Sequence, residues 1–134
     1  MEINMEILMN LESEIGININ DKHQPFTSQI LSGIKTIETR NSNSLKPYIG
    51  RRVGIIRTGK GRATLIGFCT IGEPIVYKSK AQFNADYEKH LVANGSKFYI
   101  KKVKYGYPLL DVEKTLPKAI FTRGIVSRKL IIER

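Results

Sequence analysis

Lys35, Glu38 and Arg40 fall within the eight-residue stretch Gly33-Ile34-Lys35-Thr36-Ile37-Glu38-Thr39-Arg40. A carboxylate held between two cations stays ionised; it can orient them, accept from an amino group, or act as a general base. The cations suit a phosphate or a carbonyl oxygen, the arginine through a bidentate fork. From Lys35 the β-branched residues at 36, 37 and 39 favour an extended strand. Its period of two is expected to put Thr36, Glu38 and Arg40 on one face, Ile37 on the other and Lys35 at the edge. Lys35, Glu38 and Thr36 are therefore the candidate catalytic group, and Arg40 a candidate ligand-binding residue. An ion pair between Glu38 and Arg40 that only pins strand to loop fits the same spacing.

The elements that must position these groups are legible around them. Pro25 to Ser32 reads as a short helix, with proline in its first turn and Gly33 as its stop. Gly16-Ile17-Asn18-Ile19 reads as a strand, Val53–Arg57 and Ala63–Ile71 as a hairpin turned at Thr58-Gly59-Lys60-Gly61, and Gly67 as a bend or a close backbone approach. Ser79-Lys80-Ala81-Gln82 has the form of a capping box, and Phe83, Tyr87 and Leu91 continue it at spacing four to a stop at Gly95. Lys97–Tyr105 alternates imperfectly, Pro108 marks an edge or a bend, a loop is expected around Pro117, and Ile125–Ile132 reads as a closing strand. Residues 1–14 form an N-terminal extension that alternates like a strand but also carries a helical stripe. The expectation is an α+β chain: a small mixed β-barrel of five to six strands with two helices over residues 15–134, its early and late strands side by side.

With 22 Lys and Arg against 12 Asp and Glu, the net charge is +10. The first 14 residues hold four glutamates and no base, so the rest of the chain carries +14. Such a field favours polyanions, which points to RNA or a nucleotide-like ligand. One cysteine and two histidines argue against a disulfide framework and against a metal site, and no cofactor is expected. The absence of a basic region ahead of an apolar run, and of any long apolar stretch, makes a cytoplasmic protein with no membrane partner the expectation.

Gln24-Pro25-Phe26, Leu31 to Arg40, Tyr105-Gly106-Tyr107 with Leu109, and the late Pro117 and Arg123-Gly124 together resemble the ASCH domain, a small β-barrel family of the PUA-like superfamily. The resemblance spans roughly residues 15 to 132. It implies a ligand cleft lined by Lys35, Glu38 and Arg40, with Gln24, Tyr107 and Arg123 as further ligand-binding candidates. Some ASCH proteins hydrolyse the acetyl amide of N4-acetylcytidine with a lysine, a threonine three residues on and a helical glutamate. Here the lysine is Lys35, Glu38 stands at the threonine's place, and Asn94 falls near the glutamate's. Other relatives cleave RNA. Both a binding module and a hydrolase of acylated or modified nucleosides, or a ribonuclease, stay open. A third possibility is a protein-interaction domain that pairs through its N-terminal segment.

Outside the motif, Lys101, Lys102 and Lys104 beside Tyr105 and Tyr107 interleave bases with aromatics as single-strand-binding surfaces do. Arg51, Arg52, Arg57, Lys60 and Arg62 cluster around the hairpin and are candidates for phosphate contacts. Cys69 is expected to be buried core.

Overall fold

The computed structural model describes residues 14–130, so the N-terminal extension lies almost wholly outside the described residues. The order of elements is β1 (Ile15–Asn20), α1 (Phe26–Leu31), β2 (Ile37–Arg40), a 3-10 turn at Lys46–Tyr48, β3 (Arg52–Thr58), β4 (Thr64–Ile71), β5 (Ile75–Tyr77), α2 (Lys80–Ala85), α3 (Tyr87–His90), β6 (Lys104–Ala119) and β7 (Ser127–Lys129). The fold is α+β, one curled sheet of seven strands in the order β2-β6-β4-β3-β1-β7, with β5 also on β6. The early and late strands do meet, β1 pairing β7 antiparallel and β3 parallel.

Several expectations are met for the expected reasons. The helix before the charged stretch runs Phe26–Leu31, and Gly33 ends it at φ 81, a conformation that costs glycine little. The β3–β4 hairpin forms, and at Gly67 a Cβ would lie 2.4 Å from the carbonyl oxygen of Glu113. Backbone crowding, met only by a residue without a side chain, explains that glycine.

Others are corrected. The N-cap half of the capping box forms, Ser79 accepting from the Gln82 amide at 3.1 Å, while Gln82 Oε1 accepts the Lys78 amide at 2.9 Å in place of that of Ser79; the expected single helix breaks at Asp86. It ends at His90, where Leu91 takes φ 60 and the His90 ring accepts the Val92 amide at 2.9 Å. A side chain, not Gly95, stops the helix. The strand expected from Lys97 begins only at Lys104 and then runs for 16 residues, through both Pro108 and Pro117. Its first part pairs β2 and β5, its second β4, and register shifts against β4 absorb the bend. The loop expected at Pro117 is therefore strand.

The main core joins Ile17, Ile19, Phe26, Ile30, Val53, Ile55, Cys69, Ile71, Tyr77 and Phe83, which fixes β1, α1 and the hairpin against one another. Cys69 is core as expected, and burial pushes its thiol up to about 12, which keeps it protonated and inert. Asp21, 4% exposed, caps the entry to α1 from a distance: its carboxylate accepts the Thr27 amide at 3.0 Å and the Thr27 hydroxyl. Asp21→Ala leaves a buried amide and hydroxyl unpaired, an expected loss of about 2 kcal/mol. Thermal unfolding followed by circular dichroism checks this; an unchanged midpoint contradicts it.

Candidate ligand cleft

The sheet curls far enough that edge strand β2 reaches β1, the strand next to the opposite edge. Arg40, on edge strand β2, donates Nη2 to the backbone oxygen of Asn18 on β1 at 2.7 Å. Where β2 approaches β1 lies a cleft of about 360 Å³. β1 lines it with Asn18 and Asn20, α1 with Phe26, β2 and its exit with Glu38, Thr39, Arg40 and Asn41, and β6 with Lys104. Thr58, Phe98, Gly124, Ile125 and Arg128 complete the wall.

Glu38 is at the electrostatic centre. Its Oε2 lies 3.1 Å from Arg40 Nη2 and its Oε1 3.8 Å from Lys35 Nζ. Lys35 is 1% exposed and lies beneath the floor, outside the cleft lining: Nζ donates to the His90 carbonyl at 2.5 Å and sits 4.5 Å from the Phe26 ring centroid. Burial lowers its pKa, against the pull of Glu38. Lys104, 2% exposed, donates to Asn41 Oδ1 at 2.8 Å. Burial pushes it down to about 8, again opposed by Glu38.

His90 supports the floor. Its Nδ1 accepts the Val92 amide, which leaves Nε2–H to donate to the Phe83 carbonyl at 2.7 Å, and its ring stacks on Phe83 at 4.0 Å. Burial lowers its pKa and keeps this neutral tautomer at neutral pH. The outer wall hangs on Asn18. Its Nδ2 donates to the carbonyls of Gly124 at 2.9 Å and Ile125 at 3.0 Å, and its Oδ1 accepts Arg128 Nε at 3.1 Å. At Gly124 a Cβ would lie 1.8 Å from the Ser127 carbonyl oxygen, so this tight wall requires glycine.

Of the expected catalytic group, Lys35 and Glu38 come together and Thr36 does not join them. β2 begins only at Ile37, and Thr36 is exposed, its amide bound to the Lys89 carbonyl at 2.9 Å. The expected parity therefore fails before the strand starts, and Thr39 and Thr58 are the threonines that line the cleft. Arg40 lines it as expected. Tyr107 stands opposite Glu38 in the β2–β6 register but is fully buried in the main core. Gln24 ties α1 to the distant loop, donating to the Leu91 carbonyl at 3.4 Å and accepting from Ser96 at 3.1 Å. Arg123 lines a neighbouring cavity.

The candidate phosphate contacts separate in the same way. Lys104 lies inside the cleft, whereas Lys101 and Lys102 are exposed outside it. Arg52 is bound to the Asp111 carbonyl and Glu113, and Arg51 lies over the Tyr48 ring at 5.9 Å. Arg57 is half-buried, while Lys60 and Arg62 are exposed at the hairpin turn. Asn18, Asn20, Asn41, Phe98 and Arg128 are cleft residues that motif reading misses; the one signal for Asn18 was the polar set of the alternating first strand.

No family model matches the chain, and no curated protein matches it. Solved structures do. The crystal structure of ASCH from Zymomonas mobilis superposes with a TM-score of 0.70 at 18% identity, covering 90% of this chain and 89% of that one. Two point mutants of the same protein give TM-scores of 0.69, one covering 89% of this chain and 91% of its own. A likeness this complete at so low an identity is a likeness of architecture, and by it this chain has the fold of an ASCH domain.

Proposed function

We propose that the cleft binds a nucleotide unit of RNA or a nucleotide-like ligand. The observation that carries this is its charge: Arg40, Lys104 and Arg128 line the cleft with Glu38 as the one lining carboxylate among the described residues, and Lys35 lies behind that carboxylate. Cations concentrated in a low-dielectric concavity attract an anion far more strongly than the same cations on an open surface. The remaining lining suits a base, with Phe26 and Phe98 in edge contact at 5.8 Å and the carboxamides of Asn18, Asn20 and Asn41 offering both donors and acceptors.

Fluorescence anisotropy with a short single-stranded RNA tests the reading. With two phosphates held, log affinity is expected to fall against log salt with a slope of roughly −1.4. Arg40→Ala is expected to weaken binding about tenfold or more, the loss of one charge-assisted hydrogen bond. Affinity indifferent to salt, or unchanged in Arg40→Ala, contradicts it.

A second reading, hydrolysis of an acylated or modified nucleoside or of an RNA phosphodiester, draws on a different observation. Two lysines of lowered pKa border one carboxylate, a pattern that active sites share. The exposed position of Thr36 leaves that chemistry to Glu38 acting on water, since a glutamate is no substitute for a hydroxyl nucleophile.

A further inference from the structure

Beside the cleft lies a second cavity of about 470 Å³, and Thr58 and Arg128 belong to the walls of both. Three arginines, Arg62, Arg123 and Arg128, line it, and no carboxylate does among the described residues. Its rim carries Phe121, 64% exposed, with the Arg62 guanidinium 4.6 Å from the ring centroid. An aromatic ring left this open, with an arginine already stacked against it, offers a platform to another planar group. Arg128 is fixed between the two cavities, Nε on Asn18 Oδ1 at 3.1 Å and Nη1 on the Thr122 carbonyl at 2.8 Å.

We infer that the two cavities form one groove for a single-stranded oligonucleotide of at least two nucleotides. The first nucleotide occupies the cleft, the linking phosphate meets Arg128, and the second base stacks on Phe121 and Arg62. This rests on the nucleotide reading of the cleft and extends it from a single unit to a strand. Alternation of base-stacking aromatics with backbone-tracking cations is what unpaired nucleic acid requires, and a duplex offers no free base face to Phe121. Stacking on Phe121 and a phosphate contact at Arg128 are available to ribose and deoxyribose strands alike, so both are expected to bind.

Calorimetric titration of cytidine monophosphate, a tetraribonucleotide and its deoxy counterpart, against the wild type, Phe121→Ala and Arg62→Ala, tests this. The tetranucleotides are expected to bind the wild type at least tenfold more tightly than the monophosphate. Phe121→Ala is expected to weaken the tetranucleotides about tenfold, the loss of one stacking contact, and Arg62→Ala several-fold, with the monophosphate unchanged in both. Tetranucleotides that bind the wild type and both variants equally overturn the groove and leave the cleft reading standing. Failure of the monophosphate and both strands to bind overturns both. Displacement of the strand by polyglutamate at equal charge concentration also overturns the inference, because the arginines would then be a general anionic surface.

Discussion

Glu38→Ala is expected to destabilise the fold by about 3 kcal/mol, the largest effect of any single change in the cleft. Glu38 is 7% exposed and is the carboxylate between Lys35 and Arg40. Removing one member of a buried charge set costs about 3–5 kcal/mol, because the partners stay desolvated without their counter-charge. The partial exposure of Arg40 places the expectation at the lower end of that range. Lys35, held against Phe26 and the His90 carbonyl, cannot turn out to water without giving up both contacts, and it is expected to release its proton instead. Urea denaturation of the variant measures the loss; an unchanged midpoint would mean that the cations are solvated and owe nothing to Glu38. Glu38→Gln keeps the shape and one acceptor, so it separates the two functional readings. Turnover lost with nucleotide binding retained marks the carboxylate as a chemical group. An unchanged rate removes it from any mechanism.

Raising the pH is expected to strengthen the fold and weaken binding over the same interval. Lys104 has a folded-state pKa of about 8, against 10.5 for an unburied lysine, with burial the main cause. Below pH 8 both states hold the proton, and the full penalty of the buried charge is present. Between about 8 and 10.5 the unfolded chain holds a proton that the folded chain has released, so stability rises with pH. Lys35, lowered by burial too, acts in the same direction. An anionic ligand needs the charged amine, so the free protein loses affinity once Lys104 deprotonates, by about tenfold per pH unit above 8 if only the charged form binds. Binding should accordingly take up a proton. Titration of a cytidine nucleotide from pH 7 to 9.5, with denaturation curves at the same points, checks both halves. Lys104→Met should flatten the binding profile. Stability and affinity that move in parallel, or a profile unchanged in Lys104→Met, would contradict the burial of this amine in the binding site.

What the sequence disclosed was what short-range chemistry decides. Proline before Phe26 and glycine at 33 bounded α1, alternation marked β1, and two turn glycines marked the β3–β4 hairpin. The charged stretch between α1 and β2 was legible because the spacing of its residues alone brings Lys35 near Glu38 and Arg40. Long-range effects were not legible. The 16-residue β6 overrides two prolines because β2, β4 and β5 all pair along it, and nothing in its own residues announces those partners. Lys104 looked like one of three surface lysines; its place in the cleft follows from where β6 begins beside Asn41. The parity that put Thr36 with Glu38 failed because the strand starts two residues after Lys35, at Ile37. Asn18 as the hub of the outer wall could not be inferred, since Gly124, Ile125 and Arg128 are more than a hundred residues away in the chain.

The cleft also explains why the curl of the sheet matters. Asn18 belongs to a strand beside one edge and Arg40 to the other edge, so any loosening of the curl separates two walls of the same site. Ligand bound between them would tie the edges together and raise the unfolding midpoint by mass action.

The most direct measurement is a titration of isotopically labelled protein with cytidine monophosphate, followed by backbone amide shifts. Saturable changes are expected at Thr39, Arg40, Asn41 and Lys104, together with Asn18 across the cleft, sharing one dissociation constant that rises with salt. Shifts confined to the exposed hairpin turn at Lys60 and Arg62, or no shifts at millimolar nucleotide, would contradict that expectation.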